Sequence, residues 1–183
     1  MNIESDSLRY EDQKQLSTFT GRVVVTKGTI VMRGARLEVR QDAAGNQFGT
    51  MFAEPGKRAF FRQKRDTLPG APEEFIEGEG EVIEYDGRTD NVRFITRAEL
   101  RRYRGGALSD EITGAVIVYN NLTDVFTVDG QKKATPSADG QTGSGRVRAV
   151  LAPKEPAAGA AAPAAPASGP ALRPSNSLGG GSQ

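Results

Sequence analysis

The 183-residue sequence contains no cysteine, no histidine and no tryptophan. The absence of cysteine excludes disulfide bonds, thiolate metal sites and cysteine nucleophiles. The absence of histidine removes the commonest general base and the commonest metal ligand, so histidine-based triads and histidine metal sites are excluded as well. Carboxylate pairs and lysine bases remain available, but this composition favours a protein that is not an enzyme. We expect no catalytic residue, no cofactor and no metal.

The chain also lacks a charge imbalance and a long apolar run. It carries 24 Lys and Arg residues against 23 Asp and Glu residues, whereas a nucleic-acid-binding protein normally shows a clear basic excess. No apolar run approaches the roughly 18 residues that span a bilayer. Met1 is followed by residues 2–6, of which all but Ile3 are polar, without the basic and apolar regions of a signal peptide. Composition alone is therefore consistent with a cytosolic protein or with a secreted one in which Met1 replaces the signal peptide.

The C-terminal segment differs in composition from the rest of the chain. Six of the ten prolines lie in residues 153–183, where most other residues are Ala, Gly or Ser. Such a segment cannot bury enough apolar surface to offset the entropy lost on ordering. The sequence thus predicts one folded domain, residues 1–152, and a disordered tail, residues 153–183.

Residues 3–151 show the pattern of short β-strands. From Asn91 to Arg101, apolar or small side chains at every second position alternate with mostly charged ones, as in a strand with one buried face. Turn sequences such as Asp86-Gly87 and Asp129-Gly130 separate the strands. The pattern predicts an all-β domain of antiparallel strands. Residues 62–77 contain two proline turns and are predicted to form a long loop.

An internal repeat is the strongest signal in this region. The first copy has apolar or aromatic residues at five positions that recur 75 residues later: Leu8, Tyr10, Phe19, Val23 and Val25 correspond to Ile83, Tyr85, Phe94, Ala98 and Leu100. After a five-residue insertion the match continues at an offset of 80, with residues 34–39 against 114–119. An all-β chain of this size normally closes into a barrel or pairs two sheets. The duplicated set of half-buried strands indicates a third arrangement, an elongated two-sheet jelly roll of stacked rungs whose ends expose open edges.

Three charged or nucleophilic patterns invite functional interpretations. The arginines at positions 93, 97, 101, 102 and 104 form a possible polyanion-binding face, but strand alternation places them on a solvated outer face. Glu77, Glu79 and Glu81 alternate like the wet face of a strand, with no apolar pocket to raise a carboxyl pKa. Ser144 sits between two glycines, but the chain has no histidine to activate it.

A set of short segments in a specific order and spacing carries a family resemblance: residues 3–6, 18–30, 56–61, 77–78, 84–85, 112–114, 117–119 and 145–153. Over these segments the chain closely resembles the LptA (OstA) family of periplasmic lipopolysaccharide-transport proteins of Gram-negative bacteria. The resemblance implies a slightly open, twisted β-jelly roll that carries lipopolysaccharide acyl chains in an apolar groove and has no chemistry of its own. It also implies a periplasmic location, with the signal peptide absent from this sequence, and no nucleic-acid partner.

The resemblance and the inward strand positions together give a candidate lipid path. We expect the groove to be lined by Leu8, Phe19, Val23, Ile30, Leu37, Phe61, Tyr85, Phe94, Leu100 and Phe126. We expect assembly edges at the first strand, residues 3–10 with Ile3 and Leu8, and at the last strand, residues 146–151 with Val147, Ala149 and Leu151. The expected partners are lipopolysaccharide, through its lipid A acyl chains, an LptC-like inner-membrane protein, an LptD-like outer-membrane protein, and other copies of this chain joined head to tail.

Two alternatives belong to other functional classes. The first is a non-catalytic β-barrel module that binds nucleic acid or another polyanion through the arginine face. The second is a carboxylate-dependent glycan-processing enzyme, which requires two acidic side chains converging in a cleft about 5 to 10 Å apart. The positions of the arginines and carboxylates in the fold distinguish these alternatives from a lipid carrier.

Overall fold

A computed structural model describes residues 1–130 and 147–151 of the chain. The described residues form twelve β-strands and one short 3-10 turn, Asp12–Lys14: β1 Asn2–Glu4, β2 Ser7–Glu11, β3 Leu16–Lys27, β4 Ile30–Gln41, β5 Gln47–Phe52, β6 Ala59–Lys64, β7 Glu74–Gly80, β8 Val82–Asp86, β9 Asn91–Arg104, β10 Ala107–Asn120, β11 Val125–Asp129 and β12 Arg148–Leu151. All strand pairs are antiparallel. The predicted all-β fold is therefore confirmed. The predicted tail lies outside the described residues.

Four long strands divide the sheet into two facing layers. Each of the four strands β3, β4, β9 and β10 has one section in layer A and another in layer B. Layer A is completed by β1, β6, β7 and β12, and layer B is completed by β2, β5, β8 and β11. The strand order is β1-β3-β4-β6-β7-β9-β10-β12 in layer A and β2-β3-β4-β5-β8-β9-β10-β11 in layer B. The layers are continuous where the long strands bend. We call the opposite side, where the tips of the two layers meet without a shared strand, the mouth.

The bends coincide with a pair of left-handed residues in each repeat. Gly21 and Arg22 have φ values of 78° and 42°, and Thr96 and Arg97, 75 residues later, have φ values of 60° and 53°. At both places the strand pairing shifts by one residue. A bulge of this kind inserts an extra residue and bends the strand, which here carries it from one layer into the other.

The sequence repeat is reproduced in the strand pairing. In the β3–β4 hairpin Phe19 pairs with Leu37, and Val23 pairs with Gly34. In the β9–β10 hairpin the residues at offsets of 75 and 80 pair in the same way, Phe94 with Ile117 and Ala98 with Gly114. Strands β7–β12 thus repeat the arrangement of β1–β6, and the five-residue insertion lengthens the tip of the second hairpin. The predicted duplication is confirmed.

Three predicted boundaries were wrong. Residues 62–77 are not one loop, because β6 extends to Lys64 and β7 begins at Glu74. Their regular strand pairing with each other outweighs the two prolines, which lie between them at 69 and 72. The predicted first strand is two strands, since the chain changes layer at residues 5–6. The last strand begins at Arg148, so Val147 precedes it.

The bulge in the first repeat predicts a specific sensitivity to substitution. A Cβ atom on Gly21 would overlap the Asp6 side chain, in addition to the strain of its positive φ. Gly21→Ala should therefore lower the free energy of unfolding by about 1–3 kcal/mol in urea titrations. Gly56→Ala, with φ of +80° in open space, isolates the backbone strain and should cost less. Equal losses would contradict the proposed contact with Asp6.

Candidate functional site

Two ladders of inward-facing side chains form the interior between the layers. Antiparallel partners in adjacent strands place their side chains on the same face, so the register lists each ladder directly. Ladder A, in layer A, consists of Ile3, Val25, Met32, Phe61, Gly78, Leu100, Ile112 and Ala149. Ladder B, in layer B, consists of Leu8, Phe19, Leu37, Met51, Ile83, Phe94, Ile117 and Val128. Neither ladder contains a polar side chain from its first strand to its last.

The centre of the interior is tightly packed. Phe61 of ladder A and Phe94 of ladder B are both 0% exposed and meet edge to face, with 5.6 Å between ring centroids. A Cβ atom at Gly78 would overlap the ring of Phe94, so glycine at this position gives that ring its space. The described interior is therefore closed at its middle, and any guest between the layers must displace these contacts.

Exposure increases toward the two ends of the ladders. Leu8, on the first strand of layer B, is 59% exposed although it shares the inner face of Phe19. At the other end Ala149 is exposed and Leu151 is 67% exposed. Among the described residues no further strand covers either end. The apolar interior is thus open to a neighbour at both ends.

The residues predicted to line the groove all lie on or beside this interior. Buried positions are Val23, Ile30, Leu37, Phe61, Phe94 and Leu100. Half-buried positions packed against them are Phe19, Tyr85 and Phe126. Leu8 lies outside the packed cluster, at the exposed end of ladder B. Whether these residues contact a lipid remains a prediction.

Sequence reasoning missed several residues of the interior. Ile83 and Ile117 are 0% exposed and follow from Leu8 and Leu37 by the repeat offsets of 75 and 80, so the repeat held enough information to find them. Met51 and Ile76 are equally buried. Met51 belongs to no alternating pattern, and Ile76 fell in the predicted loop although it alternates with Glu77 and Glu79. Their positions depend on which strands pair, which the local sequence does not specify.

The arginine cluster does not form a free cationic face. Each of its five members lies within 4.0 Å of a carboxylate: Arg93 with Glu84, Arg97 with Glu81, Arg101 with Glu99 and Glu111, Arg102 with Asp110, and Arg104 with Glu74. Arg102 also contradicts the predicted outward direction, because its guanidinium lies over the ring of Phe126 at 5.1 Å. Arginines whose charge is balanced by a neighbouring carboxylate attract a polyanion only weakly. The structure therefore does not favour the nucleic-acid alternative.

The acidic residues of this surface are likewise held by arginines. Arg58 forms ion pairs with both Glu79 and Glu99, which are cross-strand neighbours. Burial raises the pKa of Glu99, but the hydrogen bond from Arg58 and the charge of Arg101 outweigh it, and the pKa is lowered overall. A glycosidase needs one carboxyl group with a raised pKa to act as an acid. Glu99 lacks that property.

The described fold therefore belongs to the class of β-jelly rolls with a continuous apolar interior and uncovered ends. The family model for the LptA/(LptD N-terminal domain) LPS transport protein matches residues 2–125. The chain belongs to this family.

Individual relatives agree with the family assignment. The lipopolysaccharide export system protein LptA of Haemophilus influenzae is 29% identical over 155 residues, which cover 85% of this chain and 78% of that protein. LptA of Escherichia coli K12 is 30% identical over 135 residues, covering 74% and 69% respectively. The crystal structure of Pseudomonas aeruginosa LptH, described as the LptA-homologous periplasmic component of the lipopolysaccharide transport device, superposes with a TM-score of 0.63 at 21% identity, covering 83% of this chain and 94% of that one. That similarity shows the fold.

The described residues include no helix of the length and apolar character needed to cross a membrane. Within residues 1–130 and 147–151 there is also no group of three acidic residues placed to hold a metal ion.

The packing of Phe94 against Gly78 predicts the effect of adding one methyl group. Gly78→Ala should lower the free energy of unfolding by about 1–3 kcal/mol, because the Phe94 ring has to leave its position. Gly49→Ala is the matched control, since a Cβ atom there meets Leu37 and Tyr85 at ordinary contact distances. Urea unfolding followed by circular dichroism measures both variants. A Gly78→Ala protein as stable as the parent would show that the interior is looser than described.

Proposed function

We propose that this protein is a periplasmic carrier that binds lipopolysaccharide and passes it from the inner toward the outer membrane. The acyl chains occupy the space between ladders A and B, and the protein performs no catalysis. One observation supports the proposal above the others: two facing ladders remain apolar through all eight strands of each layer. With adjacent strands about 4.8 Å apart, this gives an apolar track roughly 35 Å long.

The energetics suit a carrier that binds and releases its cargo. Each methylene group removed from water contributes about 0.8 kcal/mol, so shielding ten methylenes contributes on the order of 8 kcal/mol before any cost. Separating packed side chains such as Phe61 and Phe94 offsets part of that gain, as does the ordering of the lipid. The net binding free energy of the acyl chains is therefore smaller than the gain from shielding them, which favours transfer of the lipid to the next site over permanent binding.

The exposed ends support a chain of like domains. Among the described strands, β1 and β2 are outermost at one end and β11 and β12 at the other. The backbone groups on their outer edges are available for pairing with another strand. The family model covers both LptA and the N-terminal domain of LptD, so the same fold occurs in more than one protein of the system. We propose head-to-tail pairing with other copies of this chain, with an LptC-like protein at the inner membrane and with an LptD-like protein at the outer membrane. Ile3 and Leu8 lie at one such edge, and Val147, Ala149 and Leu151 lie at the other.

Lipid binding is testable at the uncovered end of ladder B. Leu8→Asp places a charge on the apolar path at a position where the fold tolerates it, because Leu8 is largely exposed. The variant should bind lipopolysaccharide several-fold more weakly than the parent, since a carboxylate beside an acyl chain is costly to desolvate. Leu68→Asp, at an exposed leucine in the β6–β7 loop, is the control.

Binding is measured by comigration with lipopolysaccharide on gel filtration, at concentrations where all three proteins are monomeric. Circular dichroism establishes that each is folded. A folded parent protein that retains no lipopolysaccharide would refute the proposed function. Equal binding by both aspartate variants would show that the path does not pass Leu8.

Head-to-tail assembly is testable on β12. Consecutive N–H groups of a strand point to opposite sides, so of Ala149→Pro and Val150→Pro one removes a donor to β10 and the other a donor on the free edge. The free-edge variant should fold normally and assemble less, while Ala149→Ser keeps the N–H group and should assemble as the parent does. Light scattering over a concentration series should show open-ended growth for the parent, because a heterologous contact does not close. A parent that stays monomeric at high concentration contradicts the model.

A further inference from the structure

A row of cation–aromatic contacts crosses the mouth between the layers. Three cationic side chains from the tip of layer A lie against three aromatic side chains of layer B: Lys27 against Tyr85, Arg65 against Tyr119 and Arg102 against Phe126. Each of the three aromatic residues lies two positions along its strand from a residue of ladder B, on the side nearer the mouth. We call this row of three contacts the seam.

The first contact is a bridge through a tyrosine hydroxyl. Lys27 Nζ donates to the hydroxyl of Tyr85 at 2.5 Å and lies 4.5 Å from the centre of its ring. The same hydroxyl donates to Asp90 at 2.8 Å. Burial, together with the bond to Asp90, raises the pKa of Tyr85, so the hydroxyl keeps the proton that it donates. Residues 58 positions apart are thus joined across the mouth.

The second contact has the same arrangement of a cation, a tyrosine hydroxyl and an aspartate, at the turn that follows β10 in layer B. Arg65 donates to the hydroxyl of Tyr119 at 3.3 Å and forms an ion pair with Asp124. Tyr119 in turn donates to Asp124 at 3.0 Å. In both turns the aspartate follows its tyrosine by five residues and has a left-handed backbone, with φ of 52° at Asp90 and 59° at Asp124. The same Tyr–Asp arrangement therefore receives a cation from layer A twice.

The third contact adds a stacked pair. The guanidinium of Arg102 lies 5.1 Å from the ring centre of Phe126, which stacks on Tyr119 at 5.6 Å. Arg102 Nε is buried and has no hydrogen-bond partner among the described residues. Its carboxylate neighbour, Asp110, is 3.7 Å away and belongs to the same layer. Within the described part of the chain, the contact that Arg102 makes across the mouth is therefore with the ring of Phe126.

The two sides of the interior differ in what holds the layers together. At the bends, β3, β4, β9 and β10 pass from one layer into the other, so the layers cannot separate there without breaking strand pairing. At the mouth, the described layers are joined by side chains, and each contact of the seam is of a kind that is weak individually. Because the centre of the interior is filled by residues such as Phe61 and Phe94, a guest has to spread the layers.

We infer that the jelly roll opens along the seam, and that Lys27–Tyr85, Arg65–Tyr119 and Arg102–Phe126 close the lateral entrance through which acyl chains of an amphipathic lipid reach the interior. The inference rests on the proposed lipid-carrying function. The seam sets the rate at which the entrance opens, and the ladders inside set the affinity.

Two single substitutions loosen the seam without adding bulk. Tyr85→Phe removes the hydroxyl that joins Lys27 to Asp90, and Arg65→Met removes the cation that joins Tyr119 and Asp124. Each should raise the rate of lipopolysaccharide uptake about two- to fivefold, as expected for the loss of one weak contact from a closed state. Tyr10→Phe and Arg93→Met are matched controls, because Tyr10 bonds Asp12 and Arg93 pairs with Glu84 without crossing the mouth.

A cross-link supplies the opposite test. The chain has no cysteine, so Lys27→Cys/Tyr85→Cys offers two unique thiols that a short bifunctional maleimide joins across the mouth. The joined protein should take up lipopolysaccharide at least about tenfold more slowly than the same protein before joining, since closure is then covalent. The pair Glu84→Cys/Arg93→Cys, on neighbouring strands of layer B, is the control for modification alone.

Uptake is followed by stopped-flow fluorescence with labelled lipopolysaccharide, and opening is followed without lipid by amide hydrogen exchange of β8 and β11. Faster exchange in Tyr85→Phe and Arg65→Met than in their controls supports the seam even if the parent binds no lipopolysaccharide, which would overturn only the proposed function. If the parent binds lipopolysaccharide but neither loosening nor cross-linking changes the rate of uptake relative to the controls, the entrance is elsewhere and the inference is wrong.

Discussion

The pairing of one apolar side chain with the next across every strand boundary is the constraint on which this structure depends. In each layer the register brings eight inward positions into line, and a shift of one residue in any strand would turn its polar side chains inward. The bulges at Gly21–Arg22 and Thr96–Arg97 protect this register, because they absorb the change of direction at the bend. The continuous interior is thus a consequence of pairing as well as of composition.

Duplication explains how a short chain obtains a long interior. The second repeat copies the strand pairing of the first, so its apolar ladder continues the first without a break. The ends of such a stack are uncovered, since nothing in a repeat terminates it. The same property that exposes Leu8 and Leu151 to solvent makes a further copy a suitable neighbour. Interior and assembly therefore have a common origin.

Much of this fold could be predicted from the sequence. The features that could not be predicted depend on pairing between residues far apart in the chain. Alternation in residues 91–101 and the offset of 75 predicted the strands, the duplication and the inward position of Phe94. Ile76 was missed because the prolines nearby favoured a loop, whereas pairing with β6 and β9 makes the segment a strand. The inward direction of Arg102 was missed because the five arginines were assigned to the outer face together, although Arg102 continues the inward alternation of Ala98 and Leu100. The contacts of Lys27 and Arg65 join residues nearly 60 positions apart, which local patterns do not encode.

The central claim is that acyl chains lie between the two ladders. Photocrosslinking tests it most directly: a benzophenone side chain is placed at Phe19 or Phe126, both half-buried on the inner face, or at Arg93, which points outward from layer B. After illumination with lipopolysaccharide, the account predicts adducts from both inner positions and none from Arg93. Adducts from Arg93 with none from Phe19 and Phe126 would place the lipid outside the jelly roll and contradict the account.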